Sequence, residues 1–281
     1  MKIEDLDLDR HWHARLVSNT RLTPPQIRGE VRELGLEILE SGFDFRIGQS
    51  VAVLIAGPHD FGQSHHIRLY SIASTPAESG PGRVTLCVRR CSYLDAFSGE
   101  RVPGIASNYL CDLAVGSALL LAGPVGLPFR VPDDPASPLL MVGLGTGIAP
   151  FRALIRHLYE ERGGWQGQVL LFHGARLGLE SAYRDPIAAL RQAQESFEAV
   201  EVVSPRPAWD APADLAAAIS RHESEVWRLL DEPATHVYVA GLQPVGEQLD
   251  AALAARAGGR EAWAARKAAL VTAGRWMELL Y

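Results

Sequence analysis

Short apolar segments separated by turn-forming residues fill the chain between about Gln26 and Gly123. The segments are IRGEVREL, LEILESG, SVAVLIAG, IRLYSIAS, RVTLCVRR and SALLLAG, and breaks such as Gly57-Pro58 and Gly123-Pro124 separate them. Strands of this length and spacing, bounded by turn residues, are typical of an antiparallel barrel or sandwich. The pattern therefore predicts an all-β first domain.

A different pattern follows residues 128–138, a segment that contains four prolines. Buried-looking strands at 139–143, 169–175, 197–204 and 235–241 alternate with helical sequence, including 151–162 and the alanine-rich stretch 245–273. This alternation predicts an α/β domain with a doubly wound parallel sheet. We place the boundary in the proline-rich segment, which gives domains of residues 1–130 and 137–281.

The composition excludes several classes of protein. The chain has 281 residues, 47% of them hydrophobic, which suits two domains with separate cores and argues against disorder. No uninterrupted run of about 18 apolar residues is present, so we expect no membrane-spanning helix. The net charge is −6 and no basic run exists, so we expect no nucleic-acid partner. Three cysteines without zinc-site spacing predict no bound metal. The acidic, alternating N-terminal sequence fits neither a secretory signal nor a transit peptide, so a cytoplasmic location is expected.

A glycine-rich turn, GLGTGIAP at residues 143–150, lies between a predicted strand and a predicted helix. Its N–H groups can approach a phosphate at the helix start, although a tight turn without a ligand is the alternative. Its glycines do not have the G-x-G-x-x-G spacing. Another predicted strand ends at Ala240-Gly-Leu242, and strand ends meet at one edge of a parallel sheet. Together these segments predict a nucleotide site.

Two segments of the first domain have related chemistry. In the strand that begins at Arg68, Arg68 and Tyr70 share one face, so a cation and a flat ring face the same side. They suit a phosphate and a ring system, whereas an ordinary edge strand is the alternative. Residues 103–112 form a Gly/Pro turn that leads into a short helix, which is a second candidate anion site.

The content and order of seven segments resemble the plant-type ferredoxin-NADP reductase family. They are RLYSIAS, CVRR with a following tyrosine, GIASNYLCDL, AGPVG, GTGIAPFR, HVYVAGL and an aromatic C-terminal tail. The resemblance covers roughly residues 26–281 and implies an FAD-binding barrel followed by an NADP-binding α/β domain. It implies hydride transfer between NADP(H) and flavin N5, with ferredoxin or flavodoxin as the protein partner. The alternatives are a dedicated reductase component of an oxygenase or other system, and a flavin- and nucleotide-binding subunit with weakened catalysis.

The resemblance also implies roles for individual residues. Those implied for FAD are Arg68, Leu69, Tyr70, Ser71, Cys87, Arg89, Tyr93, Gly104, Ile105, Ala106, Ser107, Thr146 and Tyr281. Those implied for NADP are Gly145, Thr146, Gly147, Ile148, Pro150, Ser204, Arg206, Gly241 and Leu242. Ser71, close to flavin N5, and Tyr281, which stacks on the flavin and moves aside for the nicotinamide, are the implied catalytic residues.

The chain departs from the family pattern at several positions. Ala240 stands where the family has cysteine, and Leu279 stands where it has a glutamate two residues before the terminal tyrosine. A proline separates Ser204 from Arg206, the implied 2′-phosphate pair, and Trp209 is a candidate adenine platform. We still expect a preference for NADPH over NADH.

Docking of an acidic ferredoxin on this acidic chain requires a local cationic cluster. The candidate arginines are Arg10, Arg15, Arg21, Arg28, Arg89 and Arg90. Scattered, solvated arginines are the alternative.

Overall fold

The computed structural model describes residues 10–57, 64–95, 97–207 and 211–281. The chain forms two compact units, Met1–Phe129 with Arg152–Leu154, and Arg130–Phe151 with Ile155–Tyr281. Each unit contains its own hydrophobic core. Among the described residues, no helix has both the length and the apolar content needed to cross a bilayer.

The first unit is an antiparallel barrel. Its elements are β1 (His11–Arg21), β2 (Val31–Ile38), β3 (Ser50–Ala56), β4 (His65–Ser71), α1 (Pro76–Ser79), β5 (Arg83–Arg89), β6 (Ser92–Leu94), β7 (Arg101–Pro103), α2 (Ile105–Asp112) and β8 (Ala118–Val125). Six strands form a sheet in the order β4-β3-β8-β1-β2-β5, and β6 pairs with β7. A bridge between Ile72 and Leu86 joins the two edges of the sheet and closes it at that point. The predicted antiparallel barrel is confirmed.

Strand β1, which the sequence analysis missed, lies in the middle of this sheet between β8 and β2. Its residues alternate strictly at the start, with Trp12, Ala14 and Leu16 buried and His13 and Arg15 exposed. Alternation of this kind is the signal of a half-buried strand. The alternation has only three buried positions and ends at Leu16, before the polar residues 18–21, so its apolar signal is short.

Strand β2 corrects the prediction of two separate strands at IRGEVREL and LEILESG. Both segments contribute to one continuous strand, and Gly35 between them lies opposite Ser18 of β1. The register of β1 shifts between Leu16 and Ser18, and a Cβ on Gly35 would lie 2.4 Å from Ser18 Oγ. The glycine therefore allows close approach at a bulge and does not form a turn.

The second unit has a parallel sheet with helices on both faces. Its elements are β9 (Leu139–Leu144), a 3₁₀ turn (Gly145–Gly147), α3 (Ile148–Arg156), a π turn (His157–Glu161), β10 (Val169–Gly174), a 3₁₀ turn (Gly178–Glu180), α4 (Arg184–Ala193), β11 (Phe197–Val202), α5 (Leu215–Arg221), α6 (Glu223–Asp231), β12 (His236–Gly241), α7 (Gln243–Arg256), α8 (Arg260–Thr272) and β13 (Trp276–Leu280). The strand order is β11-β10-β9-β12-β13, with every pair parallel. The predicted doubly wound α/β architecture is confirmed.

The order of the strands reverses between β9 and β12. From β9 the chain adds β10 and β11 on one side, and it then crosses to add β12 and β13 on the other. Ligands of open α/β sheets bind outside the carboxyl ends of the strands at such a reversal. The segments that follow β9 and β12 are therefore the first place to look for a site in this unit.

Candidate functional site

Edge strand β4 holds the arginine and tyrosine singled out from the sequence. The side chain of Arg68 is exposed, whereas Tyr70 packs partly against the barrel core. Because they are two residues apart, both side chains project from the same face of the strand. Ser71, at the end of the strand, pairs with the buried Ser50 of β3. The geometry places a cation beside an aromatic ring on the rim of the barrel.

Three further residues of the predicted FAD set lie near the end of β5 and in β6. Cys87 is only 3% exposed and Arg89 is half-buried, whereas the Tyr93 ring is 57% exposed. Tyr93 can therefore present an aromatic face to a ligand, and Cys87 contributes mainly through packing.

The start of helix α2 provides backbone donors. Its first intrahelical bond joins Asn108 N–H to Gly104 O at 3.2 Å, so the N–H groups of Ile105, Ala106 and Ser107 have no acceptor within the helix. Ser107 Oγ accepts from Cys91 N–H at 3.1 Å and fixes the turn against the link between β5 and β6. An anion is favoured at such a position because the helix dipole is positive there.

The glycine-rich segment after β9 approaches the end of β12 very closely. A Cβ on Gly147 would lie 2.2 Å from Ala240 O, and one on Gly143 would lie 2.6 Å from the Phe151 ring. Gly145 has φ +60° and open space around its Cα. These glycines leave a cradle lined by backbone at the strand-order reversal, as a nucleotide diphosphate requires.

The terminal residue, Tyr281, is bound to both segments of this cradle. Its N–H donates to Gly241 O at 3.1 Å, and its backbone carbonyl accepts from Gln243 N–H at 3.0 Å. The phenol oxygen lies 2.9 Å from Thr146 Oγ1. Residues 276–280 form the edge strand β13, which fixes the position of Tyr281.

Arg206 and Ser204 lie in the segment that follows β11. Ser204 is 6% exposed, and its Oγ accepts from Arg206 N–H at 3.1 Å, so the hydroxyl orients the segment that carries Arg206. Arg176 Nη1 donates to Pro207 O at 2.7 Å and holds the far end of the segment. The Arg206 side chain is exposed to solvent. Trp209, the candidate adenine platform, lies outside the described residues.

Two family models match the chain, the oxidoreductase FAD-binding domain over residues 25–129 and the oxidoreductase NAD-binding domain over residues 141–249. The chain is 32% identical over 273 residues to a ferredoxin–NADP reductase of Thermosynechococcus vestitus, covering 94% of this chain and 71% of that protein. It is 33% identical over 247 residues to a chloroplastic ferredoxin–NADP reductase of Mesembryanthemum crystallinum, covering 85% of this chain and 67% of that protein. The chain belongs to the ferredoxin–NADP reductase family.

The fold agrees with this membership. The structure of the Plasmodium falciparum ferredoxin–NADP⁺ reductase with 2′P-AMP superimposes with a TM-score of 0.74 at 16% identity, covering 99% of this chain and 98% of that one. The predictions of the family and of an FAD-binding barrel followed by a nicotinamide-nucleotide domain are confirmed. The chain is an FAD-dependent oxidoreductase.

Both cofactors of the family fit the residues present. The first unit has an exposed arginine, two aromatic rings and, at the start of α2, N–H donors without an acceptor in the helix or a side-chain cap. The second unit has a glycine cradle in which Gly147 lies against the backbone at the end of β12, and the exposed Arg206. Cationic side chains and amide N–H donors bind diphosphates, and aromatic faces stack on flat rings.

The two departures from the family pattern are neighbours. Ala240 of β12 pairs with Leu279 of β13, and Ala240 is fully buried. Glu278, one position earlier, does not replace the missing glutamate, because its carboxylate binds Lys267 Nζ at 2.6 Å and Trp276 Nε1 at 2.7 Å. In this family member the carboxylate of the terminal strand therefore holds the strand in place.

The sequence analysis did not single out two residues that hold the start of α2, Arg90 and Asn108, as parts of the site. Asn108 Nδ2 donates to Gly104 O at 2.7 Å, and Asn108 Oδ1 accepts from Arg90 at 3.0 Å. The available signal was an amide side chain four residues after the glycine that precedes the helix, because such amides compete for backbone hydrogen bonds.

His173 is a buried histidine at the carboxyl end of β10. It pairs with Gly143 of β9 and with Glu201 of β11, and it is 5% exposed. Its Nδ1 makes no hydrogen bond with the described part of the chain. Burial and, to a smaller extent, the positive charge of Arg184 together lower the pKa of His173 to about 4. The imidazole is therefore neutral at pH 7.

We expect the buried His173 to make stability depend on pH. Its folded-state pKa of about 4 lies below the ordinary value of 6.5, so the unfolded chain binds the proton first. The stabilisation is complete above pH 6.5 and falls as pH approaches 4, by about 2 kcal/mol between pH 7 and pH 5. Urea unfolding of wild type and His173→Leu at both values measures it. A stability difference between the two proteins that does not change with pH would contradict this assignment.

Proposed function

We propose that the chain transfers electrons between NADP(H) and a one-electron protein carrier, ferredoxin or flavodoxin. The observation that carries the proposal is that one chain contains two sets of binding groups. The first set is Arg68 and Tyr70 of β4 with the start of α2, and the second is the glycine cradle with Arg206. The similar proteins of Thermosynechococcus vestitus and Mesembryanthemum crystallinum, both named ferredoxin–NADP reductase, support the choice of carrier and nucleotide.

The first unit is proposed to hold FAD. Arg68 and the N–H groups of residues 105–107 would neutralise the diphosphate, and Tyr70 would present its ring to the isoalloxazine. The remaining proposed FAD contacts are Leu69, Ser71, Cys87, Arg89, Tyr93, Gly104, Thr146 and Tyr281. When bound, FAD supplies the ability to accept a hydride from NADPH and to release electrons singly.

The second unit is proposed to hold NADP(H). Residues Gly145, Thr146, Gly147, Ile148 and Pro150 would surround the diphosphate, with Gly241 and Leu242 beside them. Arg206 would bind the 2′-phosphate with a charge-assisted hydrogen bond, and Ser204 would orient it. Tyr281 and Ser71 are the proposed catalytic residues; Tyr281 would yield its position to the nicotinamide, and its bond to Thr146 holds it meanwhile.

Several arginines considered for carrier docking are already engaged within the first unit. Arg15 binds Glu37 at 2.5 Å, Arg90 binds Asp112 at 2.6 Å, and Arg21 donates to the carbonyl of Ile27 at 2.7 Å. Arg10 and Arg28 are exposed. We therefore propose these two for contact with an acidic carrier.

A cytoplasmic location is also proposed, and it is supported by three cysteines that form no disulfide.

The proposal is tested by NADPH-driven reduction of cytochrome c through an added carrier. We expect the rate to rise and saturate with a [2Fe–2S] ferredoxin or with a flavodoxin, and bound flavin to be identified as FAD after release. Equal rates with and without either carrier would contradict the proposal and favour a reductase dedicated to another partner. Bound FAD that NADPH does not reduce would favour the subunit with weakened catalysis.

A further inference from the structure

A hydrogen-bonded network in the first unit connects β1 and β2 to both ends of helix α2. Asn19 Nδ2 donates to the carbonyl of Leu113, just after the helix, at 2.9 Å, and Arg32 donates to Asn19 Oδ1 at 3.0 Å. Arg32 also binds Glu30, and Glu30 binds Arg90 at 2.8 Å. The network thus reaches Arg90 from the far end of the helix.

Arg90 then binds two side chains of α2, Asn108 in its first half and Asp112 at its last residue. Its guanidinium donates to Asp112 at 2.6 and 3.1 Å and to Asn108 Oδ1 at 3.0 Å. With Glu30 on the Nε side, the planar group is bound along all its edges, which fixes its orientation. Two carboxylates balance the charges of Arg32 and Arg90, so this arginine pair is not a free cationic surface.

Asn108 transmits that orientation to the start of the helix. Its Nδ2 donates to Gly104 O at 2.7 Å and to Cys91 O at 2.9 Å, while Oδ1 is held by Arg90. The amide therefore holds the helix-capping glycine against Cys91, in the link between β5 and β6. Burial raises the pKa of Glu30, but the hydrogen bonds from Arg32 and Arg90 lower it by more, so its pKa lies below the ordinary value and the carboxylate stays charged.

We propose that Arg90 and Asn108 are positioning residues for the cofactor diphosphate. By fixing the Asn108 amide, Arg90 keeps the 104–107 turn in the shape in which its N–H groups converge on one anion. Without Arg90 the amide is released to rotate, Gly104 O and Cys91 O lose their shared donor, and the turn relaxes. Binding of the diphosphate would then include the free-energy cost of ordering the turn, so the affinity would be lower. This inference rests on the proposed function, because the diphosphate is that of FAD.

The test compares two flavins on the full-length apoprotein. FAD contains the diphosphate and riboflavin does not. A substitution that disturbs the diphosphate-binding turn should therefore weaken the binding of FAD and leave the binding of riboflavin unchanged. We expect Arg90→Met and Asn108→Ala each to weaken FAD binding about tenfold or more, and to change riboflavin binding less than twofold, measured by flavin fluorescence. Arg83→Met is the matched control: it removes an ion pair between the start of β5 and Glu37 of β2, and it should change neither affinity.

A double-mutant cycle separates positioning from general destabilisation. If Arg90 acts through Asn108, the Kd of the double variant for FAD should lie within about twofold of the Kd of Asn108→Ala alone. Additive losses, equal losses for FAD and riboflavin, or unchanged FAD affinity would each overturn the inference. Should Arg90→Met fail to fold, Asn108→Ala, at a helical position that favours alanine, gives the same comparison. A wild-type apoprotein that binds neither flavin would instead contradict the proposed function.

Discussion

Replacing Arg206 with alanine is expected to lower kcat/KM for NADPH by about 30- to 100-fold and to leave NADH unchanged within twofold. The two nucleotides differ only in the 2′-phosphate, so a residue that binds this group affects one of them. A hydrogen bond between charged groups contributes about 1.5–3 kcal/mol, and each 1.4 kcal/mol corresponds to a factor of ten. Steady-state kinetics with both nucleotides measures the ratio.

The control for Arg206 is Arg260→Ala, which removes another exposed arginine of the second unit. It should leave both kcat/KM values unchanged. Ser204→Ala should lower the NADPH value only about three- to fivefold, because the buried hydroxyl acts by orienting Arg206 through its N–H. If Arg206→Ala lowered the values for NADH and NADPH equally, the assignment of Arg206 to the 2′-phosphate would be wrong.

The second large effect is expected from Gly147→Ala. A single added methyl group would lie 2.2 Å from Ala240 O and 2.8 Å from Gly241 Cα, both backbone atoms that no rotamer change can move. The 3₁₀ turn would have to separate from the end of β12, which costs about 3 kcal/mol or more. Because the cradle is formed by the contact of these segments, we expect NADPH binding to be lost as well.

Urea unfolding followed by tryptophan fluorescence measures the stability loss, since Trp165, Trp227, Trp263 and Trp276 all lie in the second unit. The neighbouring Gly145→Ala is the matched control. Gly145 has φ +60° and nothing within 4 Å of an added Cβ, so only the backbone preference changes, by about 1 kcal/mol. Equal losses at the two glycines would show that the contact with Ala240 is not the cause.

The architecture was largely predictable because it depends on local pattern. The alternation of buried strands with helices predicted the parallel sheet, and the position of the glycine-rich turn after a strand predicted the cradle. The predicted helix at 151–162 is a partial success: α3 ends at Arg156, and a π turn occupies His157–Glu161. The division of β2 into two segments was wrong because the role of the glycine inside this strand depends on Ser18, which lies across the sheet from it.

The partners of the arginines could not be predicted from the sequence, because they too are brought together only by tertiary contacts. In the sequence Arg90 is one of six candidates for carrier docking, and only the fold brings Glu30 and Asp112 to it. Ser204 likewise reads as a phosphate ligand beside Arg206, yet the fold buries it and directs its hydroxyl to the backbone. Motifs indicate which ligand a segment binds. Which side chain contacts that ligand and which one orients its neighbour depends on tertiary contacts.

The central claim is that this chain moves reducing equivalents from NADPH to bound FAD. The most direct test is anaerobic mixing of the purified protein with NADPH, and separately with NADH, while the absorbance of oxidised flavin is followed. We expect rapid bleaching by NADPH and slow bleaching by NADH. Bound FAD that neither nucleotide bleaches would contradict the claim, and it would identify Ala240 and Leu279 as features of a site that no longer transfers hydride.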